Sequence, residues 1–376
     1  MIRFLILFLL ILFKTEAQTS VLNIADSLYA NGNYSKAIAQ YQLYKNQPEV
    51  FSKIARAFMA IGNYDEALKN YEASINAQPD DALIKYEYAK LLASTKKYEV
   101  ALKNFKYLID VDDKNPNYHY ELGMVLEKLN DSTAINQFQS AYDLDDTHQK
   151  AIYKIAKYNL QKRKHEIVDK YVDKGLETYA NNLELISLKA QNQYWKQDYR
   201  EAIKWFEKLI EMGESSEFVY EKLSLSYGKH YNYEKALENR LKAFKFNPND
   251  ATAIYVIGTY YLELNDFEKA EEYISKALLF LDKPLHAEYG KLATVLNHQK
   301  KYSEAIAALK TAIEEDPTNE YSHFHLAITL ETYYADYDAK IKVYEDFKVK
   351  FPNSKMNQFA DAKISKIKKE KFLKTD

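Results

Sequence analysis

The chain has 376 residues, of which 47% are hydrophobic and 28% charged, a balance typical of folded rather than disordered proteins. Its net charge of −2 provides no basic excess, so nucleic acid is not an expected partner. The absence of cysteine excludes disulfides, thiolate metal sites and a cysteine nucleophile. Only 8 Gly and 7 Pro interrupt the chain, which favours helices joined by short turns, whereas the 34 Tyr need an explanation.

The first residues predict a secretory signal peptide. Arg3 gives a basic start, and an apolar run of ten residues extends from Phe4 to Phe13. Ala17 offers a small residue for cleavage before Gln18. The alternative is a retained membrane anchor, but a bilayer crossing needs about 20 apolar residues. We therefore expect an exported protein, periplasmic or secreted, from which residues 1–17 are removed.

A small residue recurs at a nearly constant interval along the rest of the chain. Successive steps are 30, 34, 33, 34, 34, 34, 34, 35 and 35 residues when the interpolated positions Val168 and Lys340 are included. A fixed period of this length is typical of stacked repeats. The recurring small residues are Ala37, Ala67, Ala101, Ala134, Ala202, Ala236, Ala270 and Ala305.

Each unit predicts two helices joined by a turn. The first apolar-periodic segment carries a small residue in its middle, which lets the paired helices approach closely. An aromatic residue follows the turn and is expected to fill the wedge between neighbouring units. Proline closes several units, as at Pro79 and Pro317, because it cannot continue a helix. The central small residues are Ala25, Ala55, Ala89, Gly123, Ala156, Ala190, Ser224, Gly258, Ala293 and Ala327. The aromatic residues are Tyr34, Tyr64, Tyr98, Tyr199, Tyr233, Phe267, Tyr302 and Tyr337.

This pattern resembles the tetratricopeptide repeat (TPR) family. Repeat eight matches the family pattern best, with Gly258, Tyr261, Phe267, Ala270 and Ala277. The resemblance covers residues 18–353. It implies an all-α, right-handed superhelical solenoid of about ten helix-turn-helix repeats. Together with the signal peptide, it indicates an exported TPR protein of bacterial type.

Four repeats depart from the pattern, and distortion is expected in them. Repeat one is short, and repeat four loses a residue at Asp131–Ser132. Repeat five has His165 and Val168 where tyrosine and alanine are usual, and repeat ten has Lys340 at the small position. Residues 354–376 predict a basic helix that caps the exposed end of the stack. The apolar residues expected to form the cap are Phe359, Ala362, Ile364, Ile367 and Phe372.

Motifs for catalysis and cofactor binding are absent from the sequence, including phosphate-binding glycine loops, nucleophile elbows and zinc-binding helix motifs. His323 and His325 are the only close histidine pair, and residues two apart do not share a helix face. We therefore expect no enzymatic activity, no cofactor and no metal site.

The family resemblance implies that the first helix of each unit lines a concave groove. One inward position carries tyrosine in three consecutive units, and a position four residues further on carries Arg or Lys in several. An aromatic row beside cations predicts a binding site for an extended protein segment. The alternative interpretation is that tyrosine is simply abundant and the lysines are solvated. The candidate partner-binding residues are Tyr86, Tyr120, Tyr153, Arg56, Lys90, Lys157 and Tyr255.

The sequence thus predicts a non-catalytic protein–protein interaction scaffold of the cell envelope or exterior, which binds a peptide or partner domain in its groove. Two alternatives stay open. One is a structural component that self-assembles in the envelope, and the other is a carbohydrate-binding module, because tyrosine rings stack on sugar faces. The basic C-terminal helix suggests either a solvated cap or a peripheral contact with an anionic membrane surface.

Overall fold

A computed structural model describes residues 21–281 and 285–375 of the chain. The predicted signal peptide, residues 1–17, lies outside these described residues. The chain divides into two compact units between Leu188 and Lys189, within a single helix. Every regular element in the described residues is helical. The predicted all-α solenoid of helix pairs is therefore confirmed.

The first unit contains five helix pairs and the beginning of the sixth. The described part of its first helix, α1, covers residues 21–30, and a short 3-10 helix covers Gln47–Glu49. The other helices are α2 (Tyr34–Leu43), α3 (Phe51–Ala60), α4 (Tyr64–Ala77), α5 (Ala82–Ser94), α6 (Tyr98–Val111), α7 (Pro116–Lys128), α8 (Ala134–Leu144), α9 (Gln149–Gln161), α10 (His165–Thr178) and the start of α11 (Leu183–Trp195).

The second unit begins within α11, completes the sixth pair, and adds four more pairs and a C-terminal helix. Its helices after α11 are α12 (Tyr199–Glu211), α13 (Glu217–Lys229), α14 (Tyr233–Phe244), α15 (Ala251–Glu263), α16 (Phe267–Leu278), α17 (His286–His298), α18 (Tyr302–Glu315), α19 (Glu320–Tyr333), α20 (Tyr337–Lys350) and α21 (Asn357–Thr375). Counted over the two units together, eight second helices begin at the predicted aromatic residue.

Small residues allow the two helices of each pair to pack closely. The central small residues of the first helices are buried in all ten repeats. At Gly123, an added Cβ would lie 2.7 Å from Cε1 of Phe138 on the partner helix α8. At Gly258 it would lie 2.7 Å from Cγ1 and 3.0 Å from the backbone N of Ile274 on α16. The sequence pattern therefore identified the residues at the helix crossings.

The turn inside each of the first nine repeats contains one residue with left-handed backbone geometry. Glycine supplies it in repeats one and two, at Gly32 and Gly62. Non-glycine residues supply it in the next seven, and these pay a steric cost for the positive φ. These residues are Lys96, Asn130, Arg163, Gln197, Tyr231, Asn265 and Lys300. The recurrence shows that turn geometry is conserved between repeats even where the residue type changes.

The structure locates the expected distortions. In repeat four, α8 begins only at Ala134, so the second helix lacks its usual first residues. In repeat ten, Lys340 is half-buried, and no described residue of its inner turn has a positive φ. Repeat five is regular, because Val168 is fully buried and Arg163 keeps the left-handed turn.

The C-terminal helix α21 packs against α20, but not through all the expected residues. Phe359 and Phe372 are exposed, at 66% and 68%, and Ala362 is exposed as well. Correcting the prediction, the packed face comprises Ala360, Ile364 and Ile367. Ile364 and Ile367 are buried as expected, whereas Phe359, Ala362 and Phe372 were assigned to the packed face wrongly, because lysines interrupt the apolar spacing of this helix.

A half-buried carboxylate, that of Glu331, connects α21 to the last repeat. Lys363 donates a hydrogen bond of 2.8 Å to Glu331 of α19, which also accepts one from the hydroxyl of Tyr344 on α20. Burial by itself would raise the pKa of Glu331, but these two hydrogen bonds outweigh it and lower the pKa. One ionised side chain thus joins three helices.

Two mid-helix glycines of the second unit provide a matched test of the helix crossings. Gly258→Ala introduces the clash with Ile274 and should reduce stability by about 1–3 kcal/mol, the usual range for overpacking. Gly290 has no atom within 4 Å of an added Cβ. Gly290→Ala should therefore stabilise the protein by about 1 kcal/mol through helix propensity. Urea unfolding would measure both, and equal effects of the two substitutions would contradict this account.

Acid should release α21 from the last repeat. A carboxyl whose folded pKa is lowered contributes stability above its unfolded value of about 4.3, and this stability is lost as the pH falls through the folded pKa. The protection of residues 357–375 against hydrogen exchange, measured relative to the intrinsic exchange rate at each pH, should fall below about pH 4 in the wild type. Glu331→Gln should exchange faster at neutral pH and lose that acid step. An unchanged acid step in Glu331→Gln would assign it to another group.

Candidate binding face on the first helices

Three of the predicted tyrosines occupy the same position on successive first helices. Tyr86, Tyr120 and Tyr153 each lie three residues before the central small residue, on α5, α7 and α9. All three are half-buried and pack against the core of the first unit. The structure thus brings these residues into one series, which we call the tyrosine row.

Neighbouring aromatic residues pack against two rings of the tyrosine row, those of Tyr86 and Tyr120. The ring of Tyr86 lies 6.2 Å from Phe105, edge-on, and 5.4 Å from Tyr118. The ring of Tyr120 lies 5.8 Å from Phe138 and 5.2 Å from His148. Because packing already restricts these rings, a ligand that contacts them would lose little side-chain entropy on binding.

The hydroxyl groups of Tyr86 and Tyr120 remain protonated near neutral pH. Burial, with a smaller contribution from Glu121, raises the pKa of Tyr120 to about 12. Burial also raises the pKa of Tyr86, again with the help of Glu121. The phenol of Tyr120 is therefore a hydrogen-bond donor as well as an apolar surface, whereas that of Tyr86 already donates to Glu121 at 3.5 Å.

Two of the predicted cations are already engaged in ion pairs between repeats. Arg56 contacts Glu87 with a Nε–Oε2 distance of 2.9 Å, and Lys90 approaches Glu121 to 3.7 Å. In each pair the cation directly follows the central small residue of one repeat. The glutamate lies two residues before that of the next. These two cations therefore hold neighbouring first helices together and are not free for a ligand.

A third ion pair follows the same positions with the signs exchanged. Asp26 follows the central small residue of repeat one, and Lys53 lies two residues before that of repeat two, at 2.7 Å. Asp26 also accepts a hydrogen bond of 2.6 Å from the hydroxyl of Tyr41. We call the three pairs, Asp26–Lys53, Arg56–Glu87 and Lys90–Glu121, the ion-pair ladder.

The ladder ends at repeat four, where Met124 takes the position of the next charge. Lys154 pairs instead with Glu127, at 2.5 Å. For Lys157, the partner position in the next repeat, two residues before the central small residue, holds the apolar Leu188. No ion pair of Lys157 occurs in the described part of the chain. Its ammonium lies 5.4 Å from the ring centroid of Tyr153, so this exposed cation remains beside the tyrosine row.

The seventh predicted residue, Tyr255, belongs to the second unit. It is half-buried on α15 and packs against a cluster that includes Ala270 and Ile274. Burial raises its pKa to about 12, with Glu288 adding to the effect. Tyr255 therefore has a different set of neighbours and is not part of the tyrosine row.

Many other tyrosines serve structural roles that account for their number. Their rings fill the spaces between helices, and carboxylates accept hydrogen bonds from their hydroxyls. Tyr71, which is 1% exposed, donates to Glu87 at 3.1 Å, and Tyr88 donates to Glu72 at 2.6 Å. Glu87 and Glu121 were missed as site residues by sequence reasoning, although their spacing of 34 residues was a detectable signal.

The described residues contain no group of three or more side chains suited to hold a metal ion. His325 is buried, which lowers its pKa, whereas His323 contacts the carbonyl of Pro317 and Lys350. No helix within the described ranges is both long and apolar enough to cross a membrane. The basic face of α21 is partly neutralised, because Lys371 pairs with Asp338 at 2.6 Å.

Comparison with known proteins identifies the repeats. A tetratricopeptide repeat profile matches residues 52–102 and 255–320. A TPR repeat-containing protein of Methanocaldococcus jannaschii is 28% identical over 204 residues, or 51% of this chain and 35% of that protein. Superkiller protein 3 of Schizosaccharomyces pombe is 22% identical over 318 residues, or 76% of this chain and 22% of that protein.

A solved structure of a tetratricopeptide repeat protein from Parabacteroides merdae has 17% identity to this chain. The alignment covers 66% of this chain and 98% of that one, with a TM-score of 0.46. These matches support a protein of the tetratricopeptide repeat family. Proteins of this family generally mediate protein–protein interactions and are generally non-catalytic. The chain spans about a fifth to a third of the length of the two curated relatives.

The ladder should contribute measurably to stability. Glu87→Ala leaves Arg56 and the buried hydroxyl of Tyr71 without their shared acceptor. The loss should be about 1–3 kcal/mol, the cost of an unsatisfied buried group. Glu66→Ala is the matched control, because Glu66 pairs only with the exposed Lys69 on the same helix. The control should cost less than about 0.5 kcal/mol. Equal losses in urea unfolding would show that the ladder contributes no more than an ordinary surface pair.

Proposed function

We propose that the protein is a non-catalytic scaffold that holds an extended segment of a partner protein on the first helices of repeats three to five. The observation that carries this proposal is the tyrosine row. Tyr86, Tyr120 and Tyr153 repeat at one position of three successive helices, and each leaves part of its ring exposed. Tyrosine is among the residues that dominate binding energy at protein interfaces.

The charges around the row favour a segment selected by its apolar and hydrogen-bonding groups rather than by a large net charge. Glu87 and Glu121 neutralise Arg56 and Lys90. Lys157 is the exception, since it lies beside Tyr153 without an acidic partner among the described residues. One acidic group or carbonyl oxygen of the partner is therefore expected near repeat five, and the rest of the contact is expected to be neutral.

We further propose that the protein works outside the cytoplasm, in the periplasm or after secretion. This rests on the sequence of residues 1–17, with its basic start, apolar run and small residue at Ala17. Mass spectrometry of the protein from its native host should find Gln18 as the first residue. Retention of residues 1–17 would replace export of a free protein by attachment through a membrane anchor.

The binding proposal is tested with a partner obtained by crosslinking and co-purification from the native host. Tyr120→Ala should weaken the complex by about 2 kcal/mol or more, roughly 30-fold, because it removes a central ring of the row. Lys157→Glu should weaken it further. Lys90 is left unchanged, since Lys90→Glu would place two negative charges beside each other at Glu121 and disturb the fold.

Tyr107→Ala is the matched control, because Tyr107 is an exposed tyrosine on the second helix α6. It should bind the partner like the wild type, and circular dichroism should show equal helicity in all variants. Wild-type affinity in folded Tyr120→Ala/Lys157→Glu would rule out the tyrosine row as the binding site. A partner that proves to be a second copy of this chain, or a glycan, would replace the scaffold proposal by self-assembly or carbohydrate binding.

A further inference from the structure

Repeat four contains a pocket of about 270 Å³ beside the tyrosine row. Ser132, Ala134 and Phe138 line it from the inner turn and α8, and Lys157, Tyr158 and Gln161 line it from α9. A cavity of about 150 Å³ is enough to hold a benzene molecule, so this pocket has room for a phenol ring.

The pocket exists because repeat four lacks the tyrosine or phenylalanine that begins eight of the other nine second helices; in repeat five that position holds His165. That residue lies nine positions after the central small residue, as Tyr64 follows Ala55. Counting nine positions from Gly123 reaches Ser132, which is exposed and precedes the late start of α8. Repeat four therefore provides no ring of its own at this position.

The walls of the pocket correspond to the residues that contact this ring in other repeats. Tyr233 lies 6.3 Å from Tyr260, two positions after a central small residue, and Phe267 stacks at 4.5 Å on His298, five positions after one. Counted from Ala156, the equivalent positions in repeat five hold two pocket residues, Tyr158 and Gln161.

Within a repeat, the ring also contacts the residue four positions after the central small residue. Tyr199 lies 5.7 Å from Tyr194, which holds that position in repeat six. The corresponding residue of repeat four is Glu127, another pocket residue. Three positions that surround a tyrosine or phenylalanine elsewhere thus surround an empty space here.

We propose that this pocket receives an aromatic side chain, tyrosine or phenylalanine, from the partner segment. This inference rests on the proposed function, because Lys157 borders both the pocket and the tyrosine row. The incoming ring would pack on Phe138, whose own ring lies 5.8 Å from Tyr120. The ammonium of Lys157 and the amide of Gln161 offer hydrogen bonds to a phenol hydroxyl or to the backbone that carries it. The partner would complete the repeat.

The first test uses p-cresol, the side chain of tyrosine, and the full chain without any partner. In NMR titrations, p-cresol should shift the amide signals of residues 130–138 and 154–161. Ser132→Tyr supplies the missing ring and should reduce p-cresol affinity at least tenfold. Asn136→Tyr is the matched control, since Asn136 is exposed on α8 outside the pocket. It should leave the titration unchanged.

Gln161→Trp fills the pocket from the opposite wall and should also block p-cresol, which covers the case that Ser132→Tyr does not fold. Shifts confined to other regions, or equal affinity in folded Ser132→Tyr and wild type, would overturn the proposal. Because no partner is needed, this outcome is independent of the result for Tyr120→Ala. With the partner, Ser132→Tyr should weaken binding at least tenfold, and unchanged partner affinity would show that its aromatic residues do not use the pocket.

Discussion

The close approach of the two helices in each repeat is the constraint on which the rest of the structure depends. Buried alanine or glycine at the crossings, such as Gly258 against Ile274, sets both the distance and the phase of each pair. Once the rotation of each helix about its own axis is fixed, side chains that lie the same number of positions from the crossing are oriented alike in every repeat. The tyrosine row and the ion-pair ladder are both consequences of that constancy, since each consists of residues at one offset in successive repeats.

Sequence periodicity was sufficient for the fold because the features it records are local. Second helices begin at Tyr64, Tyr98 and Phe267 as predicted, since the turn geometry and wedge position are set within about a dozen residues. The C-terminal helix has no such repeat to guide it, and its phase was wrong by one position at Phe359, where Ala360 is the buried residue. The loss of a residue at Asp131–Ser132 was visible in the sequence, but the pocket beside it was not, because its lining comes from α9 of the next repeat as well as from α8.

The candidate site was only half predictable, for a related reason. The alignment of Tyr86 with Tyr120 follows from the period alone, whereas the role of a charge depends on which side chain lies opposite in the next repeat. Arg56 was assigned to a ligand although Glu87, 31 positions further on, accepts two hydrogen bonds from it. The proposed binding face therefore combines partly exposed tyrosine rings with charged side chains that are mostly paired with each other.

The charges of the ion-pair ladder differ from one repeat to the next. They therefore favour one sequence of repeats, although the helix pairs themselves are alike. Repeat one presents an anion, Asp26, to the repeat that follows it, whereas repeats two and three present cations, Arg56 and Lys90. Removal of repeat three by recombination would join Arg56 to Glu121 and preserve an attractive pair. Removal of repeat two would join Asp26 to Glu87, two like charges. Repeats two and three are thus not interchangeable units. A gain or loss of repeats during evolution would be tolerated best where the new junction brings opposite charges together.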